Sequence, residues 1–394
     1  MNGLLFIIGL ALMLATLPGV IELALVTFPA LLARRHLPAS GGGAAVKLAI
    51  VTPAHNEASG IGDTIASLLA CDHPLPASDI HVVADNCTDR TAEIAAEAGC
   101  TVLERHDEQR RGKGYALNFA FSQLLDGGYD ALVVVDADTR VDANFLDALR
   151  ARFGKGASAV QTAYRVGNPE MGRRPRLMHI AFLAFNYLRP LSRQQAGFSC
   201  GILGNGFALS SATLAEIPYD SFSIVEDLEY HIRLVRSGRI VEFEPDASVW
   251  SDMPVTAEEA RSQRERWEGG RFRMVLDQTP KLLRDIFVRR RPALIEPLLE
   301  LLLLPLSYHV GALLMLLLVA WLAGSGGLMI YGVFALLLIV SHIVIALILG
   351  RATLDDWKAL FSAPFYMLWK LGKLPAILKF AGKGAEWKRT SRGE

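Results

Sequence analysis

Residues 131–138 read ALVVVDAD. An apolar run without alternation ends there on two aspartates, Asp136 and Asp138. Short unbroken runs rich in β-branched residues suit strands covered on both faces of a parallel sheet. The acids fall where open α/β sheets take their ligands, outside the carboxyl ends of the strands. Outward from this strand the pattern repeats. KLAIVTPA (47–54) runs into His55-Asn56-Glu57, and DIHVVA (79–84) runs into Asp85-Asn86. Thr101–Leu103 is a further short strand. Helices are expected between the strands over Ile61–Ala70, from a Thr88 or Asp89 cap to Ala98 with Gly99 closing it, and over Tyr115–Leu125. Alternating strands and helices imply a doubly wound, Rossmann-like α/β sheet. No GxGxxG follows the first strand and no GxxxxGK[ST] occurs, which disfavours a dinucleotide enzyme or a P-loop ATPase.

The flanks are different. Hydrophobic residues make up 52% of the 394, charged residues 20%, and mean hydropathy is +0.30. The excess lies at the two ends. Gly3 to Ala33 carries one charge, Glu22, and is long enough to span a bilayer with tilt. Met1-Asn2 supplies no basic region of a signal peptide. From Ala293 to Ala323 an interfacial approach is expected to lead into a span over Leu304–Ala323. Gly324-Ser325-Gly326-Gly327 turns the chain into a third span over Leu328–Leu349. Arg34-Arg35-His36, Arg289-Arg290-Arg291, and Lys383, Lys388, Arg389 and Arg392 flank these spans, so the positive-inside rule puts residues 34–280 and the 381–394 tail in the cytoplasm. Lysines within 357–380 (Lys358, Lys370, Lys373, Lys379) favour an in-plane amphipathic helix over a fourth span. Leu177–Leu191 reads either as a buried domain helix or as an interfacial one. Lys+Arg and Asp+Glu balance at 40 each, which gives no reason to expect a nucleic-acid partner. Cys71, Cys87, Cys100 and Cys200 form no CxxC pair and read as reduced thiols.

Four motifs carry chemistry. The carboxylates of Asp136 and Asp138, leaving a strand at alternate positions, can converge on a hard cation such as Mg²⁺ or Mn²⁺, which completes its shell with water and phosphate oxygens. The plain alternative is a solvated turn. Glu226-Asp227 is either dipole compensation at a helix start or the source of a general base. Gln263, Arg266 and Trp267 share one helical face, the Arg suited to a diphosphate and the Trp to a sugar ring. An interfacial helix with a Trp anchor accounts for the same pattern. Arg110-Arg111-Gly112-Lys113-Gly114 is either a phosphate-contacting loop or a solvated basic one.

In order, TPAHNE (52–57), ADNCTDRT (84–91), RGKGYALN (111–118), DAD (136–138), GNGFALS (204–210), VEDLEY (225–230) and QRERW (263–267) resemble the family 2 glycosyltransferases, of the subset that includes cellulose, hyaluronan and ceramide-glucoside synthases. The resemblance covers 47–274 and implies a GT-A domain held between N- and C-terminal transmembrane helices. It implies that Thr52, Pro53, Glu57 and Asp85 hold the nucleoside, that Lys113 lies near the donor phosphates, and that Asp138 with Asp136 binds a divalent metal. Asp227 becomes the catalytic base, Gln263 and Arg266 contact the diphosphate, and Gly204, Asn205 and Trp267 meet the acceptor.

The chain departs from the pattern at Ala84, at Val225, and at Gly-Ile-Leu-Gly-Asn (201–205), where processive cellulose synthases carry Phe-Phe-Cys-Gly-Ser. The last change, with only three spans, favours a lipid or lipid-linked glycan acceptor over a growing β-glycan. The donor implied is a UDP-sugar, the reaction inverting, and the location a bacterial-type inner membrane. A non-catalytic membrane protein with a degenerate domain would have lost the acids, and none is lost. A nucleotidyltransferase would also use a strand-end acid, but QRERW and the lack of a Gly-rich N-terminal loop argue against it.

Overall fold

The computed structural model describes residues 2–33 and 46–372, apart from the side chains of Asn2, 257–266 and 368–371. The 381–394 tail and the end of the 357–380 segment lie outside the described residues. The chain forms two compact units interleaved in sequence: an α/β unit of residues 46–182 and 197–263, and a helical unit of residues 2–33, 183–196 and 264–372.

The α/β unit is built on an eight-stranded sheet. Its strands are β1 (Leu48–Ala54), β2 (Ile80–Asp85), β3 (Thr101–Arg105), β4 (Ala131–Val134), β5 (Thr139–Val141), β6 (Ala159–Val166), β7 (Phe207–Ser210) and β8 (Val241–Ser251). Their order is β3-β2-β1-β4-β7-β6-β8-β5. β3, β2, β1 and β4 run parallel, as the sequence pattern predicts. Every residue of β2 and β4 is buried, which is why these strands read as unbroken apolar runs. Leu48, Ile50, Val82 and Val133 pack on Ile61, Ile65 and Leu68 of the helix Ile61–Leu69 and on Phe145 and Leu149 of Phe145–Phe153.

The other half of the sheet adds antiparallel strands to this Rossmann-like half. β7 is antiparallel to both β4 and β6, and β5 is antiparallel to β8. β6 and β8 pair in parallel with a register shift between Thr162 and Ala163. These strands hide polar groups inside. Gln161 and Thr162 on β6 are fully buried, with the Gln161 amide donating to the Asn205 carbonyl at 2.8 Å and the Thr162 hydroxyl to Gly206 at 2.8 Å.

Within the helical unit three segments are long and apolar enough to cross a membrane: Gly3–Leu32, Leu306–Ala323 and Gly326–Leu349. The first is a helix over Asn2–Leu25 followed by a 3₁₀ turn at Pro29–Leu32. A short helix, Ile295–Leu302, precedes the second. Gly324 closes that second segment in the left-handed region, and the third begins two residues later. The expected amphipathic segment is represented by short helices at Leu354–Ala359 and Ala363–Leu371.

Leu177–Leu191 is not one domain helix. The helix Arg173–Phe182 belongs to the α/β unit, while the π-helical stretch Leu183–Leu188 and the helix Arg189–Gln195 belong to the helical one. The reason is charge. Arg193 donates to Glu22 at 2.6 Å, pairs with Glu300 at 3.1 Å and also binds Glu296. Arg189 lies 3.5 Å from Glu22 and 3.6 Å from Glu300. Arg271 donates to the carbonyls of Glu300 and Leu303. Glu22, the lone charge of the first apolar run, thus finds its partners inside the protein, as buried charges must.

Candidate active site

β1, β2 and β4 end side by side, and at or just past their carboxyl ends lie Thr52, Pro53, Glu57, Asp85, Asp136 and Asp138. Thr52 is buried on β1 with no hydrogen-bond partner for its hydroxyl among the described residues, and Pro53 is partly exposed. Glu57 follows in the loop, where its N–H donates to the Thr91 hydroxyl at 2.8 Å. Asp85 closes β2. The β2–β3 register sets Arg105 opposite it, and the Arg105 guanidinium donates to the Asp85 carboxylate at 2.6 Å. Burial pushes the Asp85 carboxyl up from its ordinary value, against the opposing pull of Arg105. His55 Nδ1 lies 2.7 Å from the Asp85 carbonyl oxygen. Sequence reasoning missed Arg105. Its signal is positional and becomes readable only once the parallel register is known.

Asp136, Ala137 and Asp138 form the turn from β4 into β5. Asn205 braces that turn. Its Oδ1 accepts from the Asp136 N–H at 3.1 Å, and its Nδ2 donates to the hydroxyls of Thr139 at 2.8 Å and Ser251 at 3.2 Å. Asn205 is 1% exposed and both ends of its amide are bonded within the protein. The structure therefore corrects its expected acceptor contact: the side chain supports the aspartate turn instead. Its neighbour Gly204 has φ +82°, and a Cβ there would lie 3.1 Å from Asp227 Oδ2. Only glycine takes this backbone freely while leaving the carboxylate its room.

Lys113 opens the helix Lys113–Leu124, and its ammonium binds both the Asp136 carboxylate and the Gly204 carbonyl. Burial alone would lower the Lys113 ammonium. Asp136, Glu226 and Asp227 outweigh that effect and hold it above its usual value. Glu226 and Asp227 start the helix Glu226–Arg236. Asp227 Oδ1 accepts from the Leu228 N–H at 2.8 Å. Glu226 is the more enclosed of the two, 8% exposed, and burial together with the Asp227 charge pushes its carboxyl up to about 8. Burial raises Asp227 as well. The pair therefore holds a proton more readily than isolated carboxylates do.

This donor set fits a hard divalent cation. Its atoms are carboxylate oxygens with excess negative charge, and Asp136 already faces a cation, Lys113. Among the described residues no group of three or more His, Cys, Asp or Glu side chains is arranged to enclose a metal alone.

The side chains of Gln263 and Arg266 lie outside the described residues. Trp267 is partly exposed and belongs to the helical unit, where the helix Ala257–Phe287 continues past the α/β unit's last residue.

The family model "Glycosyltransferase like family 2" matches residues 45–270. A probable glycosyltransferase of Bacillus subtilis, YdaM, is 28% identical over 63% of this chain and 60% of its own. A β-monoglucosyldiacylglycerol synthase of Synechocystis is 26% identical over 59% of this chain and 49% of its own. The chain thus spans about half to three fifths of these relatives. The mannosyltransferase PcManGT of Pyrobaculum calidifontis, solved with GDP-Man and Mn²⁺, superposes with a TM-score of 0.55 at 17% identity, covering 96% of this chain and 97% of that one, which shows a shared fold. With the family model covering more than half of its length, this chain belongs to the family 2 glycosyltransferases.

Proposed function

We propose that this protein is an inverting, membrane-embedded hexosyltransferase that moves a sugar from a UDP-sugar to a hydroxyl of a lipid or lipid-linked glycan. The observation that carries the reading is the cluster of Lys113, Asp136, Glu226 and Asp227 at the carboxyl ends of the strands. Thr52, Pro53, Glu57 and Asp85 line the nucleoside side. Asp136 and Asp138 would hold Mg²⁺ or Mn²⁺, and such an ion would supply positive charge opposite the diphosphate. Lys113 adds a fixed positive charge beside the phosphates. Asp227 accepts the proton of the acceptor hydroxyl as its oxygen bonds to the anomeric carbon and the bond to the diphosphate breaks. Gln263 and Arg266 contact the diphosphate, and Trp267 with the Gly204 backbone meets the acceptor.

A lipid-type acceptor is supported by the 201–205 loop and by the activity named for the Synechocystis relative, a β-monoglucosyldiacylglycerol synthase. The test is to incubate the purified protein in lipid with a panel of nucleotide sugars and identify the nucleotide released and the product. A product that keeps elongating would replace the lipid reading with a polymerising one, and the absence of transfer from any donor would refute the enzyme.

The metal assignment has its own test. Asp138→Asn keeps the side chain's shape and removes its charge. Calorimetric Mn²⁺ binding in the presence of UDP should weaken by at least the about 10–100-fold seen for loss of an outer-shell partner. Unchanged Mn²⁺ affinity with an intact fold removes Asp138 from the site.

The α/β unit is placed on the cytoplasmic side of a bacterial-type inner membrane. In this reading the catalytic domain lies within 34–280 and the later spans within 293–323 and 328–349, while the described part of the 357–380 segment lies in the membrane plane. Leu276, Leu283 and Phe287 are exposed on one side of a helix that also carries Lys281 and Arg284, which suits seating at a membrane surface. In intact cells an impermeant maleimide should label Gly326→Cys, and Lys155→Cys only after permeabilisation. The reverse pattern would invert the orientation.

A further inference from the structure

The acid pair reaches the site on the connection Tyr219–Val225, between the helices Ser211–Glu216 and Glu226–Arg236. That connection is fastened to the first turn of the helix Lys113–Leu124. Gly114 approaches it so closely that a Cβ would stand 2.1 Å from the Ser221 carbonyl oxygen. One residue on, the Tyr115 ring stacks on Phe222 with centroids 4.3 Å apart and planes 9° from parallel. Phe222 is nevertheless 43% exposed, so core burial alone does not account for its position. The Tyr115 ring also has a cation beside it, the Arg105 guanidinium 5.8 Å from its centroid. Arg105 is the group that holds Asp85. A continuous line of contacts therefore runs from Asp85 through Arg105 and Tyr115 to Phe222, a few residues before Glu226 and Asp227.

Resting on the reading of the pair as transfer machinery, we propose that the Tyr115–Phe222 stack is a positioning latch. It holds the acid-bearing connection against the Lys113 turn and ties the general base to the nucleoside side of the site. Neither ring touches the reacting atoms, and each acts through the placement of Asp227. Loss of either ring frees the connection, and loss of both frees it no further.

The test is a double-mutant cycle on the full chain in lipid. Tyr115→Leu and Phe222→Leu should each lower kcat about threefold to tenfold, the range expected for one aromatic pair. UDP affinity and acceptor KM should stay unchanged. The double variant should lose no more than either single one, because the two side chains share one interaction. Phe222→Tyr keeps the stack and should retain wild-type kcat. Amide hydrogen exchange over 219–228 should quicken in both leucine variants. Additive losses in kcat overturn the latch. So does a rise in acceptor KM confined to Phe222→Leu, which would make that ring an acceptor platform. If no nucleotide sugar supports transfer, the proposed function fails while exchange still decides the latch, since unchanged protection over 219–228 in both variants refutes it.

Discussion

Arg193→Met should destabilise the helical unit by about 3–5 kcal/mol, the usual cost of removing one partner from a buried ion pair. The loss arises because Arg193 serves three carboxylates at once: Glu22 at 2.6 Å, Glu300 at 3.1 Å, and Glu296. Its side chain is 3% exposed and that of Glu22 is fully buried, so water cannot replace the missing donors. Arg189 already lies at 3.5 Å and 3.6 Å from Glu22 and Glu300 and offers no spare reach. Arg193→Lys should rescue little, because a single ammonium cannot present the guanidinium's fork to three acids. Replacing the cluster as a whole with apolar residues should cost much less than replacing one member. Thermal unfolding of the purified protein in detergent measures each case. A midpoint for Arg193→Met indistinguishable from wild type would mean the network contributes nothing to holding 183–196 in the helical unit.

This network also marks where the sequence stops being readable. β1, β2 and β4 announce themselves because both faces are buried and nearly every residue is apolar. Glu22 is visible as an oddity in an apolar run, but its partners lie far along the chain, in a segment whose own pattern suits a domain helix as well as an interfacial one. β6 and β8 were hidden for a different reason. They bury Gln161, Thr162 and Glu244 against polar partners, and a register shift interrupts the period. Local patterning carries no trace of a hydrogen bond to Asn205. In the candidate site the aspartates, Lys113 and the acid pair were legible as motif positions. Arg105 and the bracing role of Asn205 were not, because each depends on which strand lies next to which.

The acid pair gives the sharpest functional result. Asp227→Asn should bind UDP normally and transfer sugar about 10²–10⁴-fold more slowly, the range for loss of a general base. Glu226→Gln should do far less, for a reason visible in the site. Burial and the neighbouring Asp227 charge push the Glu226 carboxyl upward, which favours its neutral form. Glutamine copies that neutral shape. The pH dependence of stability follows with a definite sign. Between the ordinary carboxyl value of 4.5 and about 8, the folded wild type keeps a proton that the unfolded chain releases. The unfolded state then binds fewer protons, so wild-type stability falls as pH rises through that window. Glu226→Gln lacks this loss, and its advantage over wild type should grow from pH 5 to pH 8 and then level off. Burial raises Asp227 too, but the Leu228 N–H at 2.8 Å and the Lys113 charge pull it back toward the carboxylate form that can take a proton. Transfer rates, UDP affinity and unfolding midpoints across pH, measured on both variants, separate base from bystander. Near-normal transfer by Asp227→Asn would remove it from the mechanism. A collapse confined to Glu226→Gln would move the base to Glu226, which then has to work ionised in a pocket that favours its neutral form.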